Sequence, residues 1–328
     1  MPSLFDIGKS GLQAYRQSLA VTGQNIANIN TEGYKKRETA LEEVSGAGGG
    51  VTEISDQTGL GVRVEDIKRA FDEFLIDKVR QTQALFKKSD AYLDEVKSLE
   101  NLLLPSDANL SNAIGDFFGS LQQIAAAPDD QAPRIISIEK GKDLAGQFNL
   151  YSDRINTLKE KIFEKAESAV ISVNLLSNQI STINAKLLSS GSGNSSNALL
   201  DQRDLLIDQL SEVCQISVSY INKGAAQIRL GNSGSGPVIV EPESAVSAGT
   251  NQAPSTIPID VIKRGARLQP VVGSGKVATN QIQGGIIAGL VDSYALADDT
   301  LQEIDSLAEL LSTKFNEINM SGLNLDGK

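Results

Sequence analysis

Residues 286–318, IIAGLVDSYALADDTLQEIDSLAELLSTKFNEI, hold the most regular pattern in this chain. Apolar side chains fall at Ile287, Leu290, Tyr294, Ala297, Leu301, Ile304, Ala308, Leu311, Phe315 and Ile318, ten positions in an unbroken alternation of three- and four-residue steps. That is the heptad spacing of an amphipathic helix. Leu296, Leu307 and Leu310 add a second flank that widens the stripe beyond a two-stranded seam, so this helix is expected to touch at least two others in a bundle.

The same period runs through most of the sequence. From Pro133, suited to a first helical turn, a stripe passes Leu144, Phe148, Tyr151, Ile155, Leu158, Ile162, Ala166, Ala169, Val173, Leu176, Ile180, Ile183 and Leu187. Two consecutive four-residue steps at Leu158, Ile162 and Ala166 insert a stutter, which relaxes a supercoil without ending the helix. SSGSGNSSN at 189–197 reads as a turn, with Asn197 placed to cap the returning helix ALLDQRDLLIDQLSEV. Upstream, helical spacing covers Phe71 to Leu103, ending at Pro105, and a shorter helix covers Asn109 to Ala126. Leu12, Tyr15, Leu19, Ile26 and Ile29 form an N-terminal stripe closed by Gly33.

Two stretches break the period. Residues 34–70 read as an extended linker with a glycine tract at 46–50 and a short strand at Val62, Val64 and Ile67. Residues 214–284 carry the short runs QISVSYI, AAQIRL, PVIVE and IPIDVI between turn signals, read as one small antiparallel β domain. The expected fold is therefore mainly α, a long antiparallel helical bundle or coiled coil with a small inserted antiparallel β domain. Its expected divisions are an N-terminal helix (1–33), mobile in the monomer, the linker (34–70), the bundle (71–213), the β domain (214–284), a returning bundle helix (285–320) and a tail (321–328).

Composition narrows function. The 328 residues carry 30 Lys and Arg against 41 Asp and Glu, a net charge of −11, which opposes nucleic acids and anionic lipid. No His is present, so the commonest general base and metal nitrogen ligand is missing, and the single Cys214 forms no internal disulfide. No apolar run approaches the ~20 residues of a membrane helix. The start MPSLFDIGKSG has neither the charge cluster nor the apolar core of a cleavable export signal.

Few residues suggest chemistry. Asp201, Asp204 and Asp208, at i, i+3 and i+7, share a helix face that suits a hard cation in principle, but the plain reading is a solvated face with Arg203 as counter-charge. Gly231, Gly234 and Gly236 lack the Gly-Lys-Ser/Thr of a phosphate loop and read as turn residues. Cys214 reads as a small buried hydrophobe, and Lys35, Lys36 and Arg37 as a solvated basic loop. No catalytic, cofactor-binding or metal residue is assigned.

The N-terminal stretch LFDIGKSGLQAYRQSLAVTGQNIANINTEGYKKR resembles the signature of bacterial flagellar axial proteins, through Asn25, Ile26, Ala27, Asn28, Asn30, Thr31, Gly33 and Tyr34. Segments 59–80, 197–212, which holds Leu200, Asp201, Gln202, Arg203 and Asp204, and 282–325 resemble the hook-associated protein 1 (FlgK) family, the first hook–filament junction proteins. That resemblance implies a structural, non-enzymatic subunit of the extracellular flagellum, placed at the hook–filament junction. The implied partners are other subunits in a homo-oligomeric ring, the hook protein, the second junction protein and filament, and the export machinery or a chaperone. No nucleic acid, membrane insertion or cofactor is implied. In the family the N-terminal helix lines the tube against a C-terminal helix, which casts Leu12, Tyr15, Leu19, Ile26 and Ile29 as an assembly interface. The sequence ends at Asp326-Gly327-Lys328 where the family continues, so it is read as lacking the family's C-terminal part, and Asn319 stands where the family has His. A hook or rod subunit is the structural alternative; a helical membrane-active toxin and a carboxylate glycosidase are the alternatives from other classes.

Overall fold

The computed structural model describes residues 4–44, 61–104, 109–189, 194–242, 255–273, 275–278 and 280–322. The glycine tract, Pro105, the centre of the 189–197 turn and the tail beyond Gly322 lie outside the described residues. The chain is mainly α, with small antiparallel sheets. It divides into two compact units. The first takes Met1–Thr82, Asn174–Ser211 and Ile216–Ile257, and the second Gln83–Val173, Glu212–Gln215 and Pro258–Lys328. Among the described residues no helix is long and apolar enough to cross a membrane.

The first unit opens with α1, Leu4–Ala27. Residues 34–70 are not a plain linker: Arg37–Glu43 (β1) and Val62–Arg69 (β2) pair antiparallel, Arg37 opposite Arg69, with a bulge at Ala40/Leu41. The helix α2, Glu73–Leu103, starts where the Asp72 carboxylate accepts from the Leu75 N–H at 3.0 Å. The helix α4 spans Gln131–Ser189, and α5 spans Asn194–Val213. That start corrects the capping role expected of Asn197, which lies within the helix and instead donates to the Ile67 carbonyl at 2.7 Å. Four strands follow in the order β3-β4-β5-β6: Ile216–Tyr220, Ala226–Leu230, Val238–Glu241 and Ser255–Thr256. In β4 the period-two pattern sends Ala226, Ile228 and Leu230 inward, where they are buried with Ile180, Leu187, Ile207 and Ile239.

In the second unit α4 contributes Leu144, Tyr151, Ile155, Leu158, Ile162, Ala166, Ala169 and Val173, all buried. The stutter at Leu158, Ile162 and Ala166 thus keeps its apolar face inward with the helix unbroken. The short helix α3, Leu110–Ala126, is capped by Asn109, whose side chain accepts from the Asn112 N–H. The helix α6, Ile286–Ser321, is the regular heptad. Its face is buried from Ile287 to Ile304, apart from the half-buried Leu301, and then opens, with the Phe315 ring tilted at 59° to that of Phe117, 5.4 Å away, and Ile318 exposed. At Gly289 the backbone of α6 comes so close to α2 that a Cβ would sit 3.0 Å from both Tyr92 N and Ala91 Cβ, which only glycine permits.

Residues 214–284 do not make one β domain. Past Ile257 the chain builds a separate sheet in the second unit, β7-β8-β9, from Ile259–Arg264, Arg267–Val272 and Lys276–Val277. Strand β8 packs on α6 and buries Leu268, Val271 and Val272. The physical reason is that each sheet needs its own apolar cover. The first finds it on α4 and α5, the second on α6.

Candidate assembly interface and its ionic joint

Helix α1 has two distinct faces. Leu12, Tyr15, Leu19, Ile26 and Ile29 stand in solvent, Leu19 at 72% and Ile26 at 68% exposure, with Leu4 and Phe5 continuing the face. The opposite stripe is small or polar: Ser10, Ala14, Ser18, Val21 and Asn25. It lies on the β1–β2 hairpin. The Val62 N–H donates to Ser10 Oγ at 3.2 Å, Ser18 and Thr39 share a hydrogen bond of 2.7 Å, and Ala14 and Val21 are buried between them. Beside Ile26 and Ile29 the helix and β1 frame an open groove of about 710 Å³. One stripe of α1 is thus apolar and exposed while the opposite one is bonded to the hairpin.

Asn25 fixes the end of that contact. Its amide donates to the Arg37 carbonyl at 2.8 Å, and its Oδ1 accepts the Arg37 N–H at 3.0 Å, so the carboxamide pairs with a strand residue as another strand would. The Tyr34 hydroxyl donates to the same Oδ1 at 2.8 Å. Gly33, at φ +78°, turns the chain between them against Leu205, whose Cβ would lie 3.1 Å from any Cβ added there. Asn28 and Thr31 close the helix locally, through Asn28 Nδ2 to the Gln24 carbonyl and the Thr31 hydroxyl to Asn28 Oδ1. Asn30 is exposed.

The carboxylates of α5 meet the hairpin from the other side. Asp201 accepts from Arg37 Nη2 at 3.2 Å and pairs with Arg69 Nε at 2.8 Å, and Asp204 binds Arg69 and Arg203. Asp208 takes Arg80 Nε at 2.6 Å, and Arg80 Nη1 donates to the Tyr220 hydroxyl at 3.0 Å. Arg203 also donates to the Gly224 carbonyl and lies over the Tyr220 ring, 4.4 Å from its centroid. Burial pushes the Tyr220 hydroxyl above its ordinary pKa, with Arg80 and Arg203 opposing that rise and Asp204 adding to it. Leu200 is half-buried beside Gly224, and Gln202 points to solvent.

This arrangement corrects two expectations. Asp201 and Asp204 are buried in ion pairs, not solvated, because three guanidinia, those of Arg37, Arg69 and Arg203, converge on them where one was in view. With those oxygens occupied, no group of three or more acidic, His or Cys side chains is placed to hold a metal among the described residues. Arg37 likewise leaves the basic loop for this joint, while Lys36 pairs with Glu38 at the surface. Gly231 and Gly234 adopt positive φ in the β4–β5 turn. Burial pushes the Cys214 thiol up to about 12. Arg69, Arg80 and Tyr220 gave no signal in the sequence, since their partners lie about 130 residues or more away.

The first unit thus presents an exposed apolar N-terminal helix carried on a hairpin that ion pairs hold to α5. The chain belongs to the family of the flagellar hook-associated protein FlgK helical domain, whose model matches residues 96–328; residues 5–35 match the flagella basal body rod protein family. The chain is 26% identical to flagellar hook-associated protein 1 of Salmonella typhimurium, covering 100% of this chain and 58% of that protein. It is 25% identical to the Bacillus subtilis protein of the same name, over 98% of this chain and 68% of that one. The chain thus spans about three-fifths to two-thirds of these relatives. The solved structure of the flagellar hook junction protein FlgK from Burkholderia pseudomallei shares the fold at a TM-score of 0.55 and 21% identity, over 66% of this chain and 38% of that one.

Proposed function

We propose that this chain is a structural, non-enzymatic subunit of the extracellular bacterial flagellum, placed at the hook–filament junction. Its subunits join in a ring through α1, between the hook protein below and a second junction protein and filament above. The observation that carries this reading is the α1 face of Leu12, Tyr15, Leu19, Ile26 and Ile29, exposed in the single chain while the opposite face is already bonded. Covering five such side chains is worth about 1.5–3 kcal/mol each, enough to drive association once export delivers the chain to the hook. In the dilute monomer α1 exchanges its amides faster than Ile287–Ile304, because one face lacks cover.

The test is complementation of a strain lacking the gene. Leu19→Asp or Ile26→Asp puts a charge into the seam, so the hook stays intact while junction and filament are lost and the bundle keeps its helicity in the purified chain. Normal filaments from both variants would refute the role of this face. Loss of hooks as well would favour the alternative of a hook or rod subunit.

A further inference from the structure

We infer that Arg37 is a positioning residue that sets the direction of α1, joining the N-terminal motif and the Leu200–Asp204 motif into one device. The inference rests on the reading of α1 as the assembly helix. The two motifs lie far apart in sequence, and Arg37 is bonded to both. Its backbone N–H and carbonyl are held by Asn25 at the end of α1, and its guanidinium reaches Asp201 on α5. The Tyr34 ring, itself bonded to Asn25, lies 5.1 Å beneath that guanidinium.

The neighbouring bonds divide into two sets. Helix α1 is bonded to the hairpin through Ser10, Ser18 and Asn25. The hairpin is in turn bonded to α5 through Arg37, Arg69 and the Ile67 carbonyl. Helix and hairpin therefore turn as one body, and the ionic bonds fix the angle which that body makes with α5. The α1 seam is 24 residues, about 36 Å, long, so a 10° error at the joint displaces its far end by about 6 Å, one helical turn. A seam shifted by one turn presents its apolar side chains to the wrong partners. Arg69, opposite Arg37 in the ladder, holds both Asp201 and Asp204 and keeps the hairpin attached, whereas Arg37 is the one of the two whose backbone is also bonded to Asn25 at the end of the helix. A guanidinium suits this task because its planar fork fixes direction, which a point charge does less well.

The test uses the full chain with nitroxide labels at Gln17→Cys on α1 and Gln209→Cys on α5, both exposed, and with Cys214 left buried. The wild type should give one narrow distance distribution. Arg37→Met, which keeps the stem and removes the charge-assisted bond, should lower the ratio of docked to displaced α1 about tenfold. Arg37→Lys should recover most of the docked population, and the thermal transition of the bundle should stay in place in both. In cells, filament assembly should follow the docked fraction across the three chains. An unchanged distance distribution in Arg37→Met would overturn the inference, as would a displaced helix that still assembles like the wild type. If Leu19→Asp assembles normally, the assembly reading fails separately, and the distance measurement still decides whether Arg37 sets the angle.

Discussion

Changing Asp204 to Asn tests whether the ionic joint is as dry as its geometry indicates. Asp204 is 0% exposed, and the guanidinia it serves, Arg69 and Arg203, have side chains only 6% and 3% exposed. Four guanidinia in the joint face three carboxylates, so the change leaves two carboxylates for four cations, and it turns an amide donor toward arginine donors. Asn preserves shape, so no cavity term enters. Removing one partner of a buried pair costs about 3–5 kcal/mol, because the remaining charge stays desolvated. At about 2–4 °C per kcal/mol for a unit of this size, the melting temperature should fall by roughly 10 °C. Urea unfolding followed by circular dichroism measures the loss, and amide exchange in β4 localises it, with α6 as the internal reference. A loss under about 1 kcal/mol would mean that water reaches the pairs and that they act as surface salt bridges, which would refute the buried joint.

Other expectations are simpler. Asn25→Leu strips Arg37 of both backbone bonds and Tyr34 of its acceptor, so it should cost about 1–3 kcal/mol and speed exchange of the Arg37 amide. The Cys214 thiol stays neutral in the fold, with its pKa pushed from 9.0 up to about 12, while an unfolded thiol ionises above 9.0. Its contribution to stability is therefore complete below pH 9 and lost as pH rises toward 12, by about 1.4 kcal/mol per pH unit at most. Cys214→Ala should flatten that decline. Native chain at pH 8 should resist a thiol reagent that modifies it at once in urea.

The helices were legible because burial on one side imposes a period, and the residues predicted for the α4 and α6 stripes are those found buried from Leu144 to Leu187 and from Ile287 to Ile304, apart from the half-buried Phe148, Leu176 and Leu301. The exposed half of α6 was not legible. Phe315 and Ile318 keep the period whether or not another helix covers them. Strand β1 was hidden because its seven residues, RETALEE, carry four charges and only Ala40 and Leu41 as apolar residues, and its partner β2 is reached only across the glycine tract. Turn signals marked the strands after Cys214 without saying which helix each would cover, so two sheets were read as one. At the joint, the spacing of Asp201, Asp204 and Asp208 exposed a shared face, but three of the arginines that fill it lie on β1, β2 and α2, beyond the reach of local pattern.

Asn25 is not alone in pairing with a strand. On α4 the buried Asn184 donates to the Ala226 carbonyl at 2.8 Å and accepts the Ala226 N–H at 2.9 Å, completing β4 where β5 stops pairing. Each asparagine plugs a stretch of strand edge with a side chain that cannot propagate a ladder. An open edge is a template onto which any extended chain can add. At Arg37 and Ala226, therefore, the backbone groups that an incoming strand would need are already taken by a side chain, which closes these two points to strand addition and so to cross-strand stacking there.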